Sequence, residues 1–335
     1  MTTTAPPQQV QRPVLAPLTR HEVLARHFGE LSILAVFLIL FVFFSLRADA
    51  FLTAGNLINV GRQIAPTVLV AMAMTLVITT GAIDLSVGSV VGLTASTLGI
   101  FAATGNPVLA LLLTLGIGTA FGFVNGYLVA YGRVQSFIVT LASLTAVRGL
   151  ALLITQGYST PITSPVLLPL GQGRLLGVYT ATWVALAAVV LTAFVFTRTR
   201  FGRYVTAVGS NAESLRRSGV DIRRIRLAVL TLSGTFAALA GVLVATRLAS
   251  GSSNSGTGFE LEVITAVVLG GTSLVGGRGS MLGSMLGALT LGIISNGLVL
   301  LHVDVYWVPI VQGLILVVAI LVNSRLFERV LGTKR

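Results

Sequence analysis

The stretch Gly81-Ala82-Ile83-Asp84-Leu85-Ser86-Val87-Gly88-Ser89 sets a carboxylate and two hydroxyls between two long apolar runs. An ionisable group at bilayer depth costs about 3 kcal/mol on insertion scales, so it either carries function or is held by partners. Gly81, Gly88 and Gly92 loosen the helix in the same region and permit close backbone approach. Together these residues predict a helix break inside a membrane domain.

The composition agrees. Of 335 residues, 54% are hydrophobic and 10% charged, against about 25% charged in soluble domains. Several apolar runs reach the roughly 17 to 25 residues that a membrane helix needs, and none alternates with period two, so helices are preferred to a barrel. The 37 glycines suit close helix packing in lipid. A net charge of +12 would fit nucleic acid if it lined one face, but the basic residues lie between spans, so no such partner is expected. With no cysteine there is no disulfide or thiolate metal site, and His21, His27 and His302 lack ligand spacing, so no metal is expected.

Apolar runs bounded by Gly, Pro and charge give ten candidate spans: 31–46, 64–80, 87–104, 107–131, 137–155, 179–196, 227–249, 261–274, 281–301 and 308–322. The expected class is an all-α integral membrane protein of about ten transmembrane helices with broken or re-entrant segments. Residues 1–30 read as a largely disordered tail without a cleavable signal peptide, 31–322 as the membrane domain and 323–335 as a second tail. Placing the N-terminus in the cytoplasm puts the 22 lysines and arginines inside, except Arg47, Arg62 and Arg174, which fall outside, and Arg148 and Arg247, which fall within spans. That bias predicts cytoplasmic N- and C-termini. Asp49, Glu260, Glu262 and Asp304 then lie outside with the polar segment SGSSNSGTG (250–258), which is expected to be flexible and available to a partner.

Phosphate-loop, GxSxG and HExxH motifs are all absent, so no catalytic residue is assigned. A multi-span chain of this kind reads as a transport pathway that couples to an ion gradient or borrows an ATPase. The cytoplasmic loop 197–226 bears on that choice. Within it, 201–226 reads as a short amphipathic helix with Asn211 as cap, Glu213 and Ser214 in the first turn and Gly219 as stop. It is either a solvated positive loop that sets topology or a coupling helix that docks on an ATPase.

Four stretches bring in a family: GAIDLSVGS (81–89), NGYLVAYGRVQSFIVTLASLTAVRGLALLITQG (125–157), FGRYVTAVGSNAESLRRSGVDIRRIRLAVLTLSGTFAALAGVL (201–243) and GTGFELEVITAVVLGGTSLVGGRGSMLGSMLGAL (256–289). In these the chain resembles the permease family of bacterial ABC importers for ribose, xylose, rhamnose and related sugars, which includes autoinducer permeases. The resemblance implies a multi-pass protein of the bacterial cytoplasmic (inner) membrane, paired with a second permease as homo- or heterodimer. It also implies two cytoplasmic ATP-binding subunits, which carry ATP and magnesium in place of this chain, and an extracytoplasmic sugar-binding protein. By the same resemblance Asn211, Ala212, Glu213, Ser214, Leu215, Arg216, Arg217, Ser218 and Gly219 match the ATPase-coupling segment. Two positions depart from the pattern: Ala82 stands where many relatives have glycine, and 216–219 reads RRSG where RLSG is common.

The rival readings are a branched-chain amino-acid ABC permease, against which the IDLSVGS stretch argues, and an ion-coupled secondary transporter using Asp84. Asp84 can be an anchor that accepts backbone hydrogen bonds, a pathway contact or a proton carrier; beside an ATP-driven family, anchoring within the Gly81, Asp84, Leu85, Ser86, Gly88 break is the expectation. Arg148 calls for an internal partner, Asp84 being one candidate, while Arg247 is expected to snorkel outward. Asn125, Thr140, Ser143, Thr145, Ser295 and Asn296, with Arg148, are candidate pathway groups; each polar side chain can equally bond helix to helix. Gly270, Gly271, Gly276, Gly277 and Gly279 form a second glycine-rich break.

Overall fold

In this computed structural model, which describes residues 20–304, 306–315 and 317–318, several helices start where short polar side chains take up unpaired N–H groups. α1 (Arg20–Arg47) precedes α2 (Ala54–Thr79), which is capped by Thr53 Oγ1 accepting from the Asn56 N–H at 3.3 Å. After the first break come α3 (Val87–Ala102) and α4 (Pro107–Ala130). Proline occupies the first position of α4, and Asn106 Oδ1 accepts from the Leu109 N–H at 3.0 Å. α5 (Ser136–Thr155) leads to a connector holding β1 (Thr160–Pro161), the one-turn α6 (Pro169–Gln172), β2 (Arg174–Leu175) and β3 (Val178–Tyr179). α7 (Thr180–Arg198), α8 (Arg200–Arg217), α9 (Ile222–Leu248), β4 (Ser250–Gly251), α10 (Phe259–Leu269) and α11 (Met281–Leu300) follow. Residues 307–315 form a further helical stretch. Two small antiparallel ribbons, β1 with β4 and β2 with β3, are the only sheet among the described residues.

The core is built around α2, whose residues Ile64 to Thr79 are all buried. α7, α9, α10 and α11 pack against it, while α9 also crosses α3 and α4 and α1 rests on α11. At the α4–α9 crossing a Cβ on Gly122 would lie 2.6 Å from the Leu230 carbonyl oxygen and 2.9 Å from the Gly234 Cα, so the two backbones meet with no side chain between them. Small residues at such crossings let helices gain van der Waals contact where lipid removes the hydrophobic drive between them. Outward faces are the reverse: Leu112, Leu153 and Val190 are among the large apolar side chains left exposed on α4, α5 and α7. Six helices (α2, α4, α5, α7, α9 and α11) are long and apolar enough to cross a membrane, and Leu31–Arg47 and α3 are shorter apolar helices.

Several boundaries differ from the expectation for physical reasons. Residues 20–30, assigned to the tail, form the first turns of α1, whereas 1–19 and 323–335 lie outside the described residues. α2 starts ten residues before Ile64 because its polar first half finds protein partners: Asn56 exchanges two amide hydrogen bonds with Asn296 at 2.9 and 3.0 Å, and the Arg62 guanidinium stacks 4.2 Å from the Tyr179 ring centroid. Further along α2, Pro66 cannot donate to the turn before it. One turn away, Arg247 donates to the Gln63 carbonyl at 3.1 Å, so this arginine serves a loosened backbone and does not simply snorkel. α10 ends at Leu269, five residues short of its expected end, where Gly270 and Gly271 open the second break.

The α4–α9 crossing makes a prediction. Gly122→Leu forces a side chain into backbone and should cost about 1–3 kcal/mol, read as a lower thermal unfolding midpoint in detergent. Gly116, with nothing within 4 Å of its Cβ direction, should accept alanine with no loss.

Candidate functional site

Both helix breaks and α8 converge at one end of the bundle. The Gly277 N–H donates to the Thr79 carbonyl at 2.9 Å, joining the second break to the end of α2. Gly209 of α8 fits between them, since any Cβ there would collide with the Thr79 oxygen and the Gly277 nitrogen, and Ser210 Oγ reaches the Gly277 carbonyl at 3.5 Å. Behind this contact Thr75 Oγ1 and Ser284 Oγ bond at 2.7 Å, tying α2 to α11.

α8 changes character at Asn211. Its first half starts at Thr199, whose hydroxyl accepts from the Gly202 N–H at 3.4 Å, and buries Gly202, Val205 and Val208. Asn211 leaves the helical region (φ −158°, ψ 89°), and its Oδ1 accepts from the Ser214 N–H at 2.9 Å, so it caps a separate short helix. Ala212 and Leu215 are half-buried, while Glu213, Ser214, Arg216, Arg217 and Ser218 are exposed. Gly219 (φ +81°) ends the helix, with the Val220 N–H reaching back to the Leu215 carbonyl at 3.4 Å. The cap and stop fall where the sequence predicts them, but the helix leading to them starts eleven residues earlier. Glu213 pairs with Arg216 at 2.8 Å and Arg217 at 3.2 Å, and the hydrogen bonds from Arg216 and then Arg217 hold its carboxyl below the ordinary carboxylate range.

The first break is a bonded unit. Gly81 takes a positive φ (+78°) to close α2. Asp84 is 1% exposed, and its Oδ1 accepts from the Ser86 N–H at 3.0 Å and the Ser86 hydroxyl at 2.6 Å. Asn125 of α4 donates to Ser86 Oγ at 3.0 Å and accepts from Ser143 of α5 at 2.7 Å. Thr140 donates to the Ile83 carbonyl at 3.1 Å, and the Ile83 N–H donates to Ser136 Oγ at 3.2 Å. Leu85 packs against the core and Gly88 sits buried in the first turn of α3. The second carboxylate oxygen, Oδ2, is buried without a hydrogen bond of good geometry; Ser233 of α9, likewise unbonded, is its neighbour and had no signal in the sequence.

Arg148 does not pair with Asp84. Its guanidinium donates to the main-chain carbonyls of Ser253, Ser255 (3.2 Å) and Gly256 (3.1 Å). The segment after β4, expected to be loose, is thus a strap held against α3 and α5, with Glu260 close to the same arginine. Glu262 accepts from Thr67 at 2.9 Å and faces Arg247. Asn296 is committed to Asn56, and Thr145 bonds back to its own helix. No group of three or more His, Asp or Glu converges on a point among the described residues.

Residues 56–320 match a family model described as the branched-chain amino acid transport system permease component. The chain belongs to this family of import permeases. The permease is 40% identical over 304 residues to the ribose import permease of Escherichia coli (strain K12), covering 88% of this chain and 94% of that one. It is 40% identical over 315 residues to a probable ABC transporter permease of the same strain, covering 94% and 95% of the two chains. With the L-arabinose ABC transporter permease of Azospirillum brasilense it shares 37% identity over 296 residues, 88% and 87% of the two chains. No solved structure matches the permease. It is therefore a transport component of a bacterial inner membrane, embedded through several apolar helices.

Two predictions follow from this geometry. Asp84→Asn keeps the acceptor that Ser86 uses and should retain folding and transport. Asp84→Leu strands the Ser86 N–H and hydroxyl, costing about 1–3 kcal/mol, and should lower the amount of folded protein recovered from membranes; loss of transport in Asp84→Asn alone would instead mark a titrating carboxylate. At Glu213 the folded carboxyl sits below its unfolded value, so its ion pairs contribute above the unfolded value and are lost as pH falls through the folded one. Carbon-13 titration of that carboxyl should give a depressed midpoint that moves back up in Arg216→Gln.

Proposed function

We propose that this chain forms the translocation half of an ATP-driven sugar importer, with ten crossings, both termini in the cytoplasm and a second permease beside it. The charge bias supports that orientation, because loops bearing Arg133, the 198–226 arginines and Arg278 then all face inward. The family model's description covers amino-acid permeases, but the ribose and L-arabinose relatives match along most of their length and favour a monosaccharide or similar polyol. ATP and magnesium are assigned to separate cytoplasmic subunits, and delivery to an extracytoplasmic sugar-binding protein.

The observation that carries the mechanism is the split of α8 at Asn211. The half before it is wedged by Gly209 against both helix breaks, and the half after it, residues 211–219, stands exposed with its own cap and stop. Movement of a docked ATPase at the exposed half reaches Thr79 and Gly277 across the kink at Asn211 and through Gly209 two residues before it, and those residues end the segments that would open and close a pathway. Asn125, Thr140, Ser143, Arg148 and Asn296 already hold protein partners in this conformation, so we assign them to shaping that pathway.

Glu213→Arg, or replacement of residues 211–219 by a Gly/Ser sequence, should abolish sugar uptake by cells carrying the complete importer while the amount of permease in the membrane stays unchanged. Normal uptake in either variant overturns the coupling assignment. Uptake by the purified chain alone, driven by a proton gradient, would favour the secondary-transport reading.

A further inference from the structure

A groove of about 500 Å³ opens on the outer face of the bundle, where α4, α7, α8 and α9 meet. Its walls are mostly apolar, from Phe123, Val195, Phe201, Leu227 and Ala228, with Thr231 turning its hydroxyl back to the Leu227 carbonyl at 2.8 Å, and one charged side chain, Arg224, stands at its edge. Asp221 holds the Nε side of that guanidinium at 3.2 Å, and its two terminal nitrogens have no partner among the described residues. Arg223 beside it lies 5.9 Å from the Tyr131 ring centroid. Arg198, Arg200 and Arg203, at the α7–α8 corner that supplies Val195 and Phe201, add exposed positive charge to the same end.

The depth of this groove can be read from its neighbours. Phe123, Tyr127 and Tyr131 stack in succession along the exposed face of α4, with ring centroids 6.4 and 5.2 Å apart. Tyrosines on a lipid-facing helix end settle at headgroup level, with the apolar ring toward the acyl chains and the hydroxyl toward water. Arg223, resting on Tyr131, is therefore at headgroup depth, as is the adjacent Arg224, and Phe123, two turns below Tyr131, is at acyl-chain depth. A ligand that fits has a negative head at the Arg223–Arg224 level and a hydrocarbon tail along Phe123, Val195 and Leu227.

We propose that this groove is a binding site for an anionic phospholipid, whose phosphate pairs with Arg224 and whose acyl chain lies between α4, α7 and α9. Basic pockets between membrane helices attract such headgroups electrostatically, and the apolar wall adds burial of methylene groups. The lipid would brace the corner at which α8 leaves α7, so its occupancy bears on how firmly α8 is seated. A second copy of the chain or a cytoplasmic protein is the competing occupant; the charge at one end and the wall further down, where the one polar side chain, Thr231, spends its hydroxyl on the Leu227 carbonyl, favour lipid.

The test is native mass spectrometry of the purified permease in mild detergent, titrated with phosphatidylglycerol or with phosphatidylcholine of the same acyl chains. Wild type should retain phosphatidylglycerol preferentially, and added salt should weaken that preference. Arg223→Gln/Arg224→Gln should abolish it, Arg224→Lys should keep it, and Ala228→Trp, which fills the groove and leaves the charge, should reduce retention of both lipids. Equal retention of the two lipids by wild type, or undiminished phosphatidylglycerol retention in the double variant, overturns the proposal. A photo-crosslinking residue at Phe201 that captures a second permease or another protein instead of lipid overturns it as well. Should the double variant fail to fold, Ala228→Trp with unchanged retention is sufficient to reject the site.

Discussion

The hydrogen bond from the Gly277 N–H to the Thr79 carbonyl joins the two places at which the helical ladder is interrupted. Away from water every backbone N–H and C=O needs a partner inside the protein, and a helix end at membrane depth leaves several without one. The chain meets that requirement by pairing its breaks: the second gives an N–H to the end of α2, while Ser86, Asn125, Thr140 and Ser136 serve the first. The breaks thus lean on each other, and α8 touches both at Gly209.

The same constraint explains the glycines. Gly122 at the α4–α9 crossing and Gly209 at the meeting of breaks both sit where a carbonyl of another segment occupies the space a Cβ would need. In lipid, where apolar side chains gain little by meeting one another, backbone proximity is what makes a helix contact specific. The exposed leucines and valines of α4, α5 and α7 then mark the perimeter, on which the tyrosine stack at the end of α4 also lies.

Much of this was legible in the sequence, and the exceptions have a common cause. Asn211 as a cap, Gly219 as a stop and Asp84 as an anchored carboxylate could be read because each acts on neighbours within a few positions along the chain. The early start of α2 could not, since Asn56 and Arg62 look like loop residues until Asn296 and Tyr179 are brought to them. The partner of Arg148 was hidden for another reason: it is three main-chain carbonyls, and a carbonyl has no letter in a sequence. Ser233, beside the free edge of Asp84, has nothing to distinguish it from the other hydroxyls that line α9.

The strap held by Arg148 has an evolutionary corollary. Because the arginine grips carbonyl oxygens that every amino acid possesses, the exposed side chains of the strap are uncoupled from its position, whereas Gly256, at φ +77° with the Gly88 carbonyl where a Cβ would stand, and the buried Ser253 are not. Asn254 and Thr257 project from it into the open. A lineage can therefore rewrite those two side chains, and with them the surface the loop presents, without loosening the clamp beneath. The arginine itself has no such latitude, because its planar fork is matched to several carbonyls at once and lysine would reach fewer of them.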